Sequence, residues 1–135
     1  MSQENVEIMR RAYAVLAEEG VEAVLAFADP DCESTTPPSL ASEPDTYRGH
    51  EGVRRWFGSF GDAMEGVYLE GLEFTAVGDS VLVDTKLHAR GRMTGIEAEQ
   101  RAFVVYTLRE GLVTRIEAFP EHAQALEAAG LNSEG

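Results

Sequence analysis

Cysteine, basic residues and long apolar runs are all scarce in this sequence. The single cysteine, Cys32, excludes an intrachain disulfide and argues against a thiolate metal cluster. Lysine and arginine together number 11 against 24 acidic residues, and the net charge of −13 excludes the basic face that nucleic acids or an anionic membrane would require. No apolar run approaches the length of a membrane span, and the polar N-terminal segment lacks the apolar core of a secretory signal. We therefore expect a cytoplasmic protein.

Apolar residues, by contrast, make up 44% of the 135 residues, which is ordinary for a globular protein. A chain of this length can bury enough surface to fold without covalent staples. It is also about the length of one domain. We expect a single domain over residues 1–135.

The first half of the sequence has the periodicity of helices. Apolar residues recur at spacings of three and four from Asn5 to Glu19, and Gly20 is a plausible helix end. A second, shorter helix follows and ends at Asp29-Pro30-Asp31, because the residue before a proline is pushed out of helical backbone. A third opens near His50 and carries an aromatic stripe that includes Trp56.

The second half has the alternation of strands. From residue 67 the apolar period falls to about two, and Val83 and Thr85 then share one face while Asp84 and His88 share the other. Helices followed by a meander of strands are typical of an α+β fold. The predicted strands are Cys32–Thr36, Val67–Val77, Ser80–Arg92, Ile96–Arg109 and Leu112–Phe119, with a surface loop at Ser39–Tyr47 and a short terminal helix at Glu121–Ala129.

Several short strings, taken in order, resemble one family. They are Phe27-Ala28-Asp29-Pro30-Asp31, Tyr47-Arg48-Gly49-His50-Glu51-Gly52-Val53, Gly78-Asp79, Arg109-Glu110-Gly111-Leu112-Val113 and Ala125-Leu126-Glu127-Ala128-Ala129-Gly130-Leu131. The sequence is similar in this way to the SnoaL-like branch of the nuclear-transport-factor-2-like superfamily. The resemblance implies a cone-shaped half barrel, in which three N-terminal helices pack on the concave face of a curved antiparallel sheet around a pocket, and a short C-terminal helix follows. It also implies a homodimer through the outer sheet face.

The fold implied by this resemblance hosts isomerases, cyclases, epoxide hydrolases, dehydratases and many non-enzymes, so it does not fix a function. Ketosteroid isomerases of this layout need a tyrosine on the first helix, an aspartate base and a protonated aspartic acid. The tyrosine position matches Tyr13, but the other two fall on or near Thr35 and Arg101. Threonine cannot abstract a carbon-bound proton and arginine stays charged. We predict that ketosteroid isomerase activity is absent.

Other acid–base residues remain open on the predicted inner face. Residues two apart on a strand share a face, so an inward Thr35 would bring Glu33 with it and an inward Arg101 would bring Glu99. Tyr13, Glu33 and Glu99 are therefore the candidate catalytic residues, with the alternative that Glu99 and Arg101 are solvated at the rim. The predicted pocket lining is Tyr13, Thr35, Trp56, Phe60, Thr85, Leu87, Arg101, Phe103 and Ala118.

Two functions of different classes follow. The first is binding of a small, largely apolar cyclic or aromatic molecule, with acid–base chemistry of the isomerase, cyclase or hydratase type as an extension. The second is a dimeric interaction or structural module whose cavity is filled by its own side chains. The spacing of the histidines favours no metal site, the sequence has no phosphate-binding glycine loop, and no cofactor is expected.

Overall fold

The computed structural model describes residues 2–35, 46–58 and 64–130. Among these, the helices are α1 (Ser2–Glu19), α2 (Val21–Val24), α3 (Gly49–Gly58) and α4 (His122–Ala129), with a 3-10 turn at Leu25–Phe27. The strands are β1 (Ala28–Thr35), β2 (Thr46–Arg48), β3 (Met64–Val77), β4 (Ser80–Gly91), β5 (Glu97–Arg109) and β6 (Leu112–Phe119). Among those helices, none is long and apolar enough to cross a membrane.

The six strands form one open, curved sheet in the order β2-β1-β6-β5-β4-β3. Neighbouring strands run antiparallel except β1 and β6, which are parallel, so the sheet is mixed. Register shifts interrupt the pairing in β3, at 65–68 and at 71–73. Such bulges bend a strand and increase its twist. The α+β fold expected from the sequence is confirmed, with the parallel pair as the one departure from an antiparallel sheet.

The strands and turns of the second half follow the predicted pattern closely. The β3–β4 hairpin turns at Gly78 and the β5–β6 hairpin at Glu110-Gly111. Glu110 and Gly111 have φ angles of 53° and 82°, which is the backbone of the two-residue turn that matches the twist of paired strands. Helix α4 ends at Gly130, whose φ of 90° is the left-handed cap.

The first half departs from prediction at two points. Strand β1 begins at Ala28, four residues before the predicted start at Cys32, so the Asp29-Pro30-Asp31 segment lies in the strand rather than in a helix-ending turn. Strand β2, Thr46–Arg48, lies where a loop was predicted. It is three residues long and pairs only with β1 at the sheet edge among the described strands, and so short a segment carries no periodic signal.

Helices α1 and α3 cover the concave face of the sheet and build the main core with it. Met9, Tyr13 and Leu16 of α1 and Trp56 of α3 are buried against Val83 and its neighbours. The opposite, convex face is covered at one end by α4, where Ala125 is fully buried beside Leu82 and Val105. The C-terminal helix therefore removes part of the outer face from solvent.

Candidate functional site

A cavity of about 50 Å³ lies between the helices and the concave sheet face. Its lining is carbon-rich, and the polar side-chain groups of the lining residues are the hydroxyls of Tyr13 and Tyr106 and the indole nitrogen of Trp56. The lining residues are Met9, Ala12, Tyr13, Leu16, Val24, Phe27, Ala28, Val53, Trp56, Leu69, Tyr106, Val113 and Ile116.

The helical period of α1 explains which of its residues line the cavity. Met9, Ala12, Tyr13 and Leu16 occur at spacings of three and four, so they form one stripe along α1 that faces the sheet. On β3, Gly71 leaves room for the aromatic rings beneath α1. A Cβ atom there would come within 2.3 Å of the Phe74 ring and 3.2 Å of the Tyr13 ring.

Three buried hydroxyls meet beside the cavity, and two of them belong to residues that line it. The Tyr13 hydroxyl lies 2.8 Å from Oγ1 of Thr85 and 2.7 Å from the hydroxyl of Tyr106. Thr85 Oγ1 in turn donates to the carbonyl oxygen of Val83 at 3.1 Å. We refer to Tyr106, Tyr13 and Thr85 as the hydroxyl chain. It joins helix α1 to strands β4 and β5.

Burial decides the protonation of both tyrosines. It raises the pKa of Tyr13 well above its ordinary range, and the hydrogen bonds with Thr85 and Tyr106 only partly oppose the shift. Burial also raises the pKa of Tyr106, and the neighbouring Tyr13 adds to the effect. Both side chains are therefore neutral at pH 7 and serve as hydrogen-bonding groups rather than as bases.

Cys32 lies on the inner face of β1 beside Ser34, and both are fully buried. Burial raises the pKa of the Cys32 thiol to about 11, although the neighbouring Ser34 side chain partly opposes the shift. The thiol is protonated at pH 7. Since the thiolate is the nucleophilic form, Cys32 is a core residue rather than a nucleophile.

The predicted inner face of β5 is wrong by one residue. Arg101 is exposed on the outer face, where its guanidinium binds both carboxylate oxygens of Asp84. Glu99 lies on the same face, 3.5 Å from Nδ1 of His88, and Phe103 packs with α4. Among these three, none lines the cavity. The pairing of Thr85 with Ala102 brings the even-numbered residues of β5 inward instead.

The predicted inner face of β1 is also wrong by one residue. Glu33 forms an ion pair with Arg48 at 2.7 Å, and both side chains are well exposed. Thr35 hydrogen-bonds to the carbonyl oxygen of Ile116 at 3.5 Å. The residues that do point into the core are Cys32 and Ser34. Glu33 and Thr35 therefore do not lie at the cavity.

The remaining predicted lining residues have different positions. Tyr13 and Trp56 line the cavity. Thr85 does not line it but hydrogen-bonds to Tyr13, which does. Leu87 and Ala118 are buried in the surrounding core rather than in the lining. Phe60 lies outside the described residues.

Most of the apolar lining residues were not predicted from the sequence, and Tyr106 is the polar lining residue that was missed. A signal for it exists, because the charged residues of β5 at positions 97, 99, 101 and 109 are all odd-numbered. Even-numbered residues of that strand should then face the core, and Tyr106 is one of them. The apolar run 102–106 hides the alternation.

Chemistry at this cavity is limited by the side chains that surround it. Among the described lining residues there is no carboxylate and no imidazole. His50 binds the carbonyl oxygen of Ala28 at 2.9 Å, and His88 lies on the outer face between Glu70 and Glu99. Within the described ranges, no group of three or more acidic, histidine or cysteine side chains could hold a metal ion.

Solved structures similar to this one share its fold across nearly the whole chain. TerC, co-crystallized with polyporic acid, is 24% identical with a TM-score of 0.74, covering 93% of this chain and 98% of TerC. A putative polyketide cyclase from Xanthomonas campestris is 16% identical with a TM-score of 0.72, covering 96% and 98%. A hypothetical protein from Catenulispora acidiphila with a ketosteroid isomerase-like fold, in complex with trimethylamine, is 16% identical with a TM-score of 0.70, covering 96% of each chain.

Sequence comparison gives the family. No curated protein matches this chain. The profile of the SnoaL-like domain matches residues 9–116, which span α1 through most of β6 and include all three members of the hydroxyl chain. The chain therefore belongs to the SnoaL-like domain family.

Proposed function

We propose that this chain binds a compact, largely apolar small molecule in the inner cavity and holds it without proton-transfer chemistry. The observation that carries the proposal is a carbon-rich cavity between helices and sheet, two of whose lining residues belong to a chain of hydrogen-bonded hydroxyls. Small-molecule sites share this chemistry, since they are mostly apolar with a few convergent polar groups, but they usually measure about 300–1,000 Å³.

The volume limits the size of the ligand. One water-sized probe occupies about 10–15 Å³, so 50 Å³ holds about four such probes, and a ligand of four non-hydrogen atoms fits only with small shifts of the lining side chains. A benzene ring occupies an engineered cavity of about 150 Å³, so a ring would have to displace lining side chains. The trimethylamine complex of the Catenulispora acidiphila protein supports a ligand of the smaller size. We therefore propose a compact ligand in place of the cyclic or aromatic ligand that the sequence led us to expect.

The positions of the titratable groups favour binding over acid–base catalysis. A general base must lie within hydrogen-bonding distance of the proton that it removes. Glu33 and Glu99 are held by Arg48 and His88 on surfaces away from the cavity. Tyr13 is a neutral donor and acceptor at pH 7 because burial raises its pKa.

Binding is testable with Trp56, the only tryptophan, which lines the cavity. Compact alcohols, ketones and trimethylamine would be titrated while Trp56 fluorescence and the methyl NMR signals of Val53 and Ile116 are followed. The best small ligands gain about 1.5 kcal/mol per non-hydrogen atom, so Kd values from tens of micromolar upward are expected. Saturable changes at both kinds of probe are the expected result.

A matched pair of helix α1 variants separates cavity binding from surface binding. Ala12 lines the cavity, whereas Ala14 is exposed on the same helix. Ala12→Val should fill the cavity and weaken binding at least tenfold, while Ala14→Val carries the same helix propensity cost and should leave binding intact. Val53→Ile provides a milder filling variant if Ala12→Val unfolds. Unsaturable responses, or equal binding by both alanine variants, would contradict the proposal.

The second candidate is an interaction module that forms a homodimer through the outer sheet face. The small cavity volume favours it, and Tyr68, 39% exposed, stacks on His88 on that face. Sedimentation analysis over a range of concentrations, with Tyr68→Asp as the disrupting variant, tests it. A monomer at all concentrations would eliminate this candidate. A cytoplasmic location stays a prediction from the sequence.

A further inference from the structure

The hydroxyl chain has a direction that hydrogen counting determines. A hydroxyl has one hydrogen to donate, and Thr85 donates its hydrogen to the Val83 carbonyl oxygen at 3.1 Å. Thr85 Oγ1 can therefore only accept in its 2.8 Å contact with Tyr13. The Tyr13 hydrogen must lie on the side of Thr85.

The next contact follows from the first. With its hydrogen donated to Thr85, Tyr13 accepts in the 2.7 Å contact with Tyr106. Tyr106 must then donate, and all three hydroxyl hydrogens have partners. Among the described residues, Tyr13 is the only one whose side chain hydrogen-bonds to the Tyr106 hydroxyl, so in this direction the Tyr106 oxygen accepts no hydrogen bond. The hydroxyl chain therefore ends at the Tyr106 oxygen, an acceptor on a residue that lines the cavity.

Reversing the direction of the hydrogen bonds in the hydroxyl chain costs free energy. Thr85 would have to give up its bond to Val83 so that it could donate to Tyr13, which would donate to Tyr106. The Tyr106 hydrogen would then point into carbon-lined space unless a ligand accepted it. The reversed chain without a ligand lacks one hydrogen bond and leaves one buried donor unpaired, which is unfavourable.

We propose that the cavity selects ligands that donate a hydrogen bond, such as alcohols, over isosteric ligands that only accept, and that Thr85 sets this preference. The proposal rests on the binding function proposed above. It differs from the donor role that the isomerase resemblance implies for Tyr13. A ligand that donates adds one hydrogen bond to the hydroxyl chain as it stands. A ligand that accepts can bind fully only after the hydrogen bonds of the hydroxyl chain have reversed their direction. The difference of about one hydrogen bond corresponds to roughly a tenfold preference.

Replacing Thr85 should remove this preference. Thr85→Val keeps the buried shape and removes the acceptor that holds the Tyr13 hydrogen. Tyr13 is then free to donate to Tyr106, and Tyr106 to donate into the cavity. An acceptor ligand would no longer have to reverse the chain. Thr85→Ser retains the hydroxyl and should retain the preference.

The test uses 2-propanol and acetone, which share a carbon skeleton and differ in their ability to donate. The wild-type chain should bind 2-propanol about tenfold more tightly, and in Thr85→Val the ratio should fall to about one or below. Thr114→Val is the matched control, because Thr114 Oγ1 also donates to a backbone carbonyl, that of Thr107 at 3.1 Å, away from the hydroxyl chain. Equal or tighter binding of acetone by the wild-type chain would overturn the proposal.

A ligand-free measurement decides the direction separately. Buried hydroxyl protons exchange slowly enough to be assigned by NMR, and the Tyr13 proton should show contacts to the Thr85 side chain. In Thr85→Val it should move toward Tyr106. A wild-type Tyr13 proton found on the Tyr106 side overturns the proposal even if alcohols bind. Failure of both probes to bind would refute the binding function, and the proton position would still decide the direction.

Discussion

The two faces of the same sheet differ in almost every physical respect. On β4, Val83 and Thr85 point inward and are completely buried, while Asp84, Lys86 and His88 point outward. The inner face holds neutral hydroxyls in a fixed order. The outer face holds ion pairs between β3, β4 and β5, with Glu70 and Glu99 on either side of His88.

The contrast separates the face that we propose to bind a ligand from the face whose charges are exposed to water. Charges on the outer face are paired in water, where each pair contributes little. On the inner face a charge would have no solvent and no partner, so selectivity there depends on shape and on hydrogen-bond direction. A substitution that adds or removes a charge should therefore change stability much more on the inner face than on the outer face.

The largest expected effect comes from placing an outer-face charge on the inner face. Val83→Asp buries a carboxylate at a fully buried position, and the cost of an unpaired buried charge is about 4 kcal/mol or more. We expect the variant to lose its cooperative thermal transition. Thr75→Asp on the exposed outer face of β3 is the matched control and should cost less than about 1 kcal/mol. Similar destabilisation of both variants would contradict the asymmetry.

The sequence alone predicted which residues of β4 face inward but not which residues of β5 do, and the difference has a physical cause. On β4 a charged residue alternates with a buried one from 83 to 88, so the inner face follows directly from the period of two. On β5, residues 102–106 are all apolar or aromatic because α4 covers the outer face there as well. A strand buried on both faces has no alternation to read.

The candidate site depends on which face of β5 points inward, and the sequence of β5 does not show this. Tyr106 enters the site only through the pairing of β4 with β5, which sets Val81 opposite it. Register is a property of two strands and their turn, and a one-residue error moves every side chain to the other face. Tyr13 was predictable because its stripe on α1 is long and regular, whereas Glu33 and Thr35 belong to a short strand with no clear alternation.

The second expected effect tests the order within the hydroxyl chain. Tyr13→Phe removes the middle group, leaving the Tyr106 hydrogen without an acceptor and Thr85 without a donor. Tyr106→Phe removes only the end. Losing a buried partner costs about 1–3 kcal/mol, so we expect about 2 kcal/mol for Tyr13→Phe and about 1 kcal/mol for Tyr106→Phe in urea unfolding. Equal costs, or the reverse order, would argue against Tyr13 as the central group.

The third effect appears at alkaline pH and originates on the inner face. Burial raises the pKa of Cys32 from 9.0 to about 11, so both states keep the proton below pH 9 and only the unfolded state releases it between pH 9 and 11. Stability should therefore fall as pH rises, by about 1.4 kcal/mol at pH 10 from this group. The tyrosines add further loss above pH 10, because burial raises their pKa values as well.

Cys32→Ala isolates the thiol contribution. The variant should be less stable at pH 8 because it leaves a small cavity, yet its free energy of unfolding should change less between pH 8 and pH 10 than that of the wild-type chain. Urea unfolding at the two pH values measures the difference. An equally steep decline in the variant would assign the pH dependence to other groups.

The smallest effect concerns the outer face. Arg101 holds Asp84 with two nitrogens, at 3.1 Å from Nε and 2.6 Å from Nη2, but its side chain is 50% exposed. Solvent screening limits such a pair to about 0–1 kcal/mol. Arg101→Ala should therefore lower the free energy of unfolding by less than about 1 kcal/mol, with the coupling to Asp84→Asn reduced at high salt. Because Arg101 does not line the cavity, alcohol binding should be unchanged in the same variant. A loss of binding there would mean that the two faces are not independent, and the division of the sheet into a binding face and a solvated face would have to be abandoned.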